Sequence, residues 1–394
     1  MVMKPMDNQA LHRFIKDKHC TLLGVGPMSE NCIDATIALA NEHRIPLVLI
    51  ASRRQIDSEA FGGGYVNNWA TSQFAQYVRD HDEHHQIVLA RDHGGPWQNT
   101  REIADKLNPQ QAMESAKNSF LADLEAGFQV LHIDTSIDIH AEPNVHTMLE
   151  RNFELYEYSW SQARRLQKDI LFEIGTEEQS GGANTEEEFE YILEAVCKFC
   201  TNNRLPKPAF IVVQIGTRVM ERKNIGEFTT QISSYDQGPS IESKITRLLE
   251  ICSRYGILMK VHNVDYLPNE GLKVFPRIGI HSANVAPEFG VTETLALITV
   301  LRKHKLDKLA DQFLRLAYES RKWEKWMLPD NVADDTEKAI IAGHYVFAHE
   351  ACKALKSEAA KSLIKHNIGL DSYLKDCVKL EITRYLKSFN LLRQ

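Results

Sequence analysis

The sequence predicts an α/β fold: a closed (β/α)8 TIM barrel followed by a C-terminal helical extension. Three observations carry that expectation. Eight short apolar runs of 4–8 residues recur along the first three quarters of the chain. Segments with apolar residues at three- and four-residue spacing separate them, so strand and helix alternate as βα units on a parallel sheet. Polar residues stand at the C-terminal ends of nearly all eight runs, as expected of a barrel that builds its site from every strand end. An open doubly wound sheet is the rival architecture. It gathers its ligands at one crevice, which fits this spread less well.

In chain order the runs are "CTLLGVGP" (20–27), "PLVLIAS" (46–52), "QIVLARD" (86–92), "QVLHIDTS" (129–136), "DILFEIG" (169–175), "AFIVVQIG" (209–216), "GILMKVHN" (256–263) and "RIGIHSAN" (277–284). The helical pattern is clear in "CIDATIALANEHR" (32–44), in "AKNSFLADLEAGF" (116–128), where Gly127 suits a helix end, and in "EEEFEYILEAVCKFC" (186–200). From residue 306 the pattern is helical only, so the expected units are a barrel over 1–305 and an extension over 306–394. "SRKWEKWMLP" joins them, and Trp323 and Trp326, at i, i+3, read as packing residues.

Composition narrows the function classes. The chain has 394 residues, 43% hydrophobic and 25% charged, which is ordinary for a globular protein. The net charge of −7 argues against nucleic-acid binding, which needs a basic face. No apolar stretch is long enough for a membrane span or a signal peptide, so a cytoplasmic protein is expected. Seven scattered cysteines suit reduced thiols, and the lone CxxC of Cys197 and Cys200 offers half of a structural zinc site. No Walker motif or kinase-type glycine loop speaks for phosphoryl transfer.

The strand ends carry the chemistry. They deliver Ser52, Arg53 and Gln55; Asp92 and His93; Asp134 and Ser136; Glu173, then Glu177 and Glu178; Gln214 and Gly216; Lys260, His262, Asn263 and Asp265; and His281, Ser282 and Asn284. Imidazole nitrogen with carboxylate oxygen suits Zn2+ or another divalent transition metal, with His93 and His262 as the leading ligands. Ser52, Gln55, Gly216, Asn263, Ser282 and Asn284 are candidates for holding substrate and phosphate. "FGGGY" (61–65) and "SGG" (180–182) read as loops able to approach a ligand closely. Arg53, Arg218 and Lys223 read as surface residues that would at most add positive charge. "HDEHH" (81–85) lies before the third run, on the stability face, and reads as a solvated turn.

The order "FGG-Y", "DHGGP", "HIDTS", "IGTE…GG", "IVVQIG" and "VHNVDY" resembles the accessory subunit of class II D-tagatose-bisphosphate aldolase. That group includes ketose-phosphate 4-epimerases and is related to the zinc-dependent class II fructose-bisphosphate aldolases. The resemblance runs over about residues 20 to 300, and "KWEKW" fits it too. It implies a barrel fold and a set of roles. Asp92 would handle the proton of a substrate hydroxyl, and His93 and His262 would bind zinc. Asp134 and Glu173 would lie at the metal, and Glu177 and Glu178 would move protons at the nascent carbanion. Ser282 and Asn284 would hold substrate and phosphate. Where the aldolases carry a zinc histidine on strand 6, this chain has Gln214, so Glu173 or Asp134 is expected to complete the metal shell.

The expected activity is therefore metal-dependent aldol cleavage, or retro-aldol 4-epimerisation, of a phosphorylated ketose by a homo-oligomer. The alternative is a non-catalytic subunit that stabilises a smaller class II aldolase subunit. A carbohydrate-binding regulator is a weaker third reading.

Overall fold

The structure, a computed structural model, describes residues 8–142, 144–175, 185–233 and 240–392. Eight strands form the barrel: β1 (Leu22–Val25), β2 (Leu47–Ser52), β3 (Ile87–Gly94), β4 (Val130–Asp134), β5 (Leu171–Gly175), β6 (Phe210–Val212), β7 (Leu258–Val261) and β8 (Ser282–Val285). Each pairs in parallel with its sequence neighbours, and β8 closes the ring on β1. A short antiparallel ladder, Val219–Met220 with Lys223–Asn224, interrupts the connection from β6 to β7.

The connecting helices form where their caps stand. Ser29 accepts from Cys32 N at the start of Glu30–His43. Asn108 and Gln111 make a capping box at the start of Pro109–Ala126, and Gly127, at φ 89°, ends that helix. Cys197 and Cys200 are free thiols within helix Glu186–Asn202. The eighth strand differs from its sequence reading. Helix Asn269–Ile278 claims Arg277 and Ile278, Gly279 at φ 91° stops it, and β8 begins only at Ser282.

Strand alternation sorts the barrel side chains. Leu47, Leu49, Leu89, Leu131, Ile133, Phe172 and Ile174 join the main core between sheet and helices. The alternate positions Ile50, Val88, Ala90 and Val130, with Val48 and Leu171 against them, make a small separate cluster that fills the barrel interior. Two residues further along the same strands come Asp92, His132 and Glu173, all buried. The interior is thus an apolar floor with a polar layer above it.

The C-terminal helices bury a second core that includes Leu297, Leu309, Phe313, Cys352 and Leu374. The last helix, Leu370–Ser388, returns to the barrel: its Val378, Ile382, Tyr385 and Leu386 belong to the main core, and Thr21 N donates to Phe389 O at 3.0 Å. Among the described residues no helix is long and apolar enough to cross a membrane.

Candidate active site

The end of β3 departs from regular strand geometry. Arg91 pairs with Leu131, but Gly94 pairs with Ile133, so β3 holds one residue more than β4 over this stretch. Such a bulge re-aims side chains. His93 takes φ 44°, and Asp92 and His93, adjacent in sequence, both reach the same group of side chains. The two glycines that follow are required by space. A Cβ on Gly95 would lie 1.8 Å from Asp134 O, and one on Gly94 would lie 2.5 Å from the Phe120 ring.

Four buried donors from four strands converge on this layer. His262 Nε2 lies 3.2 Å from Glu173 Oε1 and 3.7 Å from Asp92 Oδ1. His132 Nδ1 lies 3.5 Å from Asp92 Oδ1 and 3.6 Å from Glu173 Oε1. Ligand atoms of Asp92, His132, Glu173 and His262 all fall within 4.8 Å of one another, and so do those of His93, His132 and His262. The three imidazole centroids form a near-equilateral triangle with sides of 5.0, 5.2 and 5.3 Å. Nitrogen and carboxylate donors in these sets fit a divalent transition ion. Two ring nitrogens, His132 Nε2 and His262 Nδ1, are buried without a hydrogen-bond partner among the described residues.

The surroundings tune these groups. Burial pushes the Glu173 carboxyl up, but Lys260, whose Nζ is 2.6 Å from Glu173 Oε2, brings it down to about 2 with help from His132 and His262. Burial also opposes ionisation of Asp92, yet His93, His262 and His132 hold it well below the usual carboxylate range. Burial lowers the His262 imidazole against the pull of Asp92 and Glu173. For His93, burial is outweighed by Asp92 and Asp134, which raise it to about 9. Two neighbours orient the layer. Asp134 Oδ2 is 2.5 Å from His93 Nδ1 and also accepts from Gln98 Nε2 at 3.0 Å. Asn284 Nδ2 donates to Asp92 Oδ1 at 3.2 Å, crossing from β8 to β3. Gly24 makes room for that amide, since a Cβ there would meet Asn284 Oδ1 at 2.2 Å.

The other sequence candidates fall at varied distances from this layer. Asp134 lies in neither donor group and touches the site through His93. Gln214 is buried two residues past β6. Gln55 Oε1 accepts from Ser52 N at 2.9 Å, closing the turn after β2. Gly216, at φ 78°, turns the chain so that its carbonyl accepts from Phe228 N. Asn263 takes φ 57°, and its carbonyl accepts from Asn224 Nδ2 at 2.7 Å. Ser282 opens β8 in register with Leu22 and Lys260, one layer below Asn284, and its Oγ donates to Leu22 O. Because β8 starts later than the sequence pattern suggests, Ser282 belongs to its lower end. Glu177, Glu178 and the "SGG" segment lie outside the described residues. Arg53 is fully buried rather than on the surface, held by Asp57, Glu102, Gly95 O and Ser115.

Sequence reasoning passed over His132 as a site residue. The signal was available: on a strand, residues i and i+2 share a face. Asp134 was selected, and His132 stands two residues before it. The same rule links Lys260 to His262.

A closed parallel barrel with buried histidines and carboxylates near its strand ends defines the class: a TIM-barrel protein. Residues 8–204 match the family model described as D-tagatose-1,6-bisphosphate aldolase subunit GatZ/KbaZ-like, and the chain belongs to that family. Among solved structures, a probable tagatose 6 phosphate kinase from Sinorhizobium meliloti is similar at TM-score 0.72 and 17% identity, over 93% of this chain and 100% of that one. Fructuronate-tagaturonate epimerase from Cohnella laeviribosi aligns at TM-score 0.56 and 12% identity, over 98% and 86% of the two chains. Fructose-bisphosphate aldolase from Campylobacter jejuni aligns at TM-score 0.55 and 11% identity, over 99% and 96%. At these identities the likeness is one of fold.

Proposed function

We propose that the protein is a metal-dependent aldolase-like enzyme that cleaves, or epimerises by cleavage and re-addition, a phosphorylated ketose. The observation that carries the reading is the convergence of Asp92, His132, Glu173 and His262, whose donor atoms lie within 4.8 Å of one another. A divalent ion, with zinc the first candidate, would be held from this group with His93 beside it, and when bound it supplies Lewis acidity toward a carbonyl oxygen. Asp92 is buried and held ionised by the imidazoles around it; with its Oδ1 turned to His132 and His262, its Oδ2 suits the role of base toward the substrate's C4 hydroxyl. Removing that proton lets the oxygen's electrons form the C4 carbonyl, and as the C3–C4 bond breaks its pair passes to C3 and the C2 oxygen as an enediolate. The resemblance assigns Glu177 or Glu178 to reprotonate C3. A 4-epimerase would use the same base, rotate the aldehyde fragment and re-form the bond. Asn284, bonded to Asp92, keeps the carboxylate aimed.

The experiment is turnover by the purified protein of ketose mono- and bisphosphates, following aldehyde release for cleavage and the C4 epimer for epimerisation. Release of neither product, by protein loaded with zinc, cobalt or manganese, overturns the enzyme reading.

A second reading has one observation of its own: the matched family is described as an aldolase subunit. Under it, the chain alone is inert and raises the activity or stability of a smaller class II aldolase co-expressed with it.

A further inference from the structure

We infer that the metal site draws an imidazole from β4, His132, in place of the strand-6 histidine that the resemblance leads one to look for at Gln214. This inference rests on the metal-dependent reading above and names the residue that completes it.

His132 and His262 are common to both donor groups. The groups differ only in whether His93 or the two carboxylates fill the remaining corners. Around His132 the edges of the carboxylate group measure 3.5 and 3.6 Å, and around His262 they measure 3.2 and 3.7 Å. A tetrahedral ion with bonds of roughly 2.1 Å needs donors about 3.4 Å apart. The four distances bracket that value, so the donors already stand close to coordination spacing.

The rest of β4 and β5 is shaped around this ring. His132 is in register with Glu173 on β5, so imidazole and carboxylate meet at one level of the barrel. Gly175 lies beside the ring, and a Cβ there would come within 2.5 Å of His132 Nε2. Any larger residue would push the imidazole out of the layer. The His93 backbone N–H donates to His132 Nδ1 at 3.2 Å. His132 Nδ1 thus faces this N–H, Asp92 Oδ1 and Glu173 Oε1 together. The other ring nitrogen, His132 Nε2, is buried with no partner among the described residues, a cost of a kind that functional sites retain.

The test measures metal content and coordination rather than activity. Wild type, His132→Ala, His262→Ala and Gln214→Ala are stripped, reloaded with Co(II) or Zn(II), and read by plasma emission and by the Co(II) d–d absorption. Wild type is expected to take up one ion per chain. His132→Ala and His262→Ala should each lose affinity by more than the roughly 100-fold that an outer-shell change causes. Gln214→Ala should keep its ion and its spectrum. Circular dichroism checks each variant for folding. His132→Asp, which puts a carboxylate oxygen donor at that position, should recover binding with an altered Co(II) spectrum. If folded His132→Ala keeps the ion with an unchanged spectrum while Gln214→Ala loses it, His132 is not a ligand, and the metal-dependent reading stands without it. If wild type takes up no ion, both fall.

Discussion

Two buried ionic clusters lie on opposite faces of the same strand ends, and they are built in opposite ways. Arg91 and Asp92 are neighbours in sequence, yet each belongs to a different one. Outside the barrel, Arg91 spends its guanidinium on both oxygens of Asp123 and on the carbonyls of Ala51 and Ile56. Arg53 does the same with Asp57, Glu102, Gly95 O and Ser115. These planar forks are close to filled, with four polar contacts each, and they tie the loops after β2 and β3 to the helices below, though Glu102 Oε2 is left without a partner among the described residues. Inside the barrel, Glu173 keeps Lys260 at 2.6 Å, but Asp92 and Glu173 face imidazoles at 3.2–3.7 Å, at or beyond the long end of hydrogen bonding, and ring nitrogens are left over. Paired forks hold structure in place, whereas imidazoles and carboxylates gathered within 4.8 Å of one another keep donor capacity for something else. That convergence separates the two clusters more clearly than burial, which both share, or than a lone unpartnered atom, which Glu102 and His344 also have.

Four measurements would sharpen or break that contrast. The largest effect is expected from Asp92→Asn, which preserves shape and removes the base. Turnover of the ketose phosphate should fall by about 10²–10⁴ with the melting temperature little changed. Unchanged turnover removes Asp92 from its role. The outer cluster should respond the other way. Arg91→Met strands Asp123 in the interior and should cost about 3–5 kcal/mol in urea unfolding, while the fraction that remains folded keeps its kcat/KM. Loss of activity without loss of stability would erase the distinction between the clusters.

His344 supplies a control: an imidazole fully buried without an acid beside it. Burial, with a smaller push from Lys325, lowers it to about 3, and both its ring nitrogens lack partners among the described residues. The native state keeps the ring neutral, while the unfolded chain takes up a proton below the ordinary imidazole value of 6.5. The stability this contributes is present above pH 6.5 and drains away as pH falls toward 3, by at most about 1.4 kcal/mol per pH unit. His344→Phe should flatten that limb of the unfolding free energy relative to wild type. An unaltered limb would mean that the ring is charged or solvated. The smallest effect is expected at the exposed pair Arg254–Glu190, with side chains 59% and 45% accessible. Arg254→Ala should change stability by no more than about 1 kcal/mol, and less in high salt.

Much of the fold was legible in one dimension. Six of the eight strands fall within the apolar runs, β3 continues two residues beyond its own to Gly94, and the helices over 30–43, 109–126 and 186–202 carry the expected periodicity. The exception, β8, failed because "RIGI" continues a helical face until Gly279 stops it, and a short apolar run does not say which element owns it. Asp92, His93, Glu173 and His262 could be read from their positions at strand ends. His132 could have been, from its two-residue offset to Asp134. The Arg53 and Arg91 partners could not, because they come from helices and loops up to 62 residues away.

The sequence by itself determined the alternation of strand and helix, and with it which residues share a face of each strand, because those follow from local periods of 2 and 3.6. Only the tertiary structure decided which strand ends meet. Barrel closure brought β3, β4, β5 and β7 to one level, and the bulge at Asp92 and His93 turned two adjacent side chains toward one site. Closure also moves the proposed third metal ligand from Gln214, two residues past β6, to His132 on β4. That choice depends on distances across the barrel, and no local pattern along the chain encodes them.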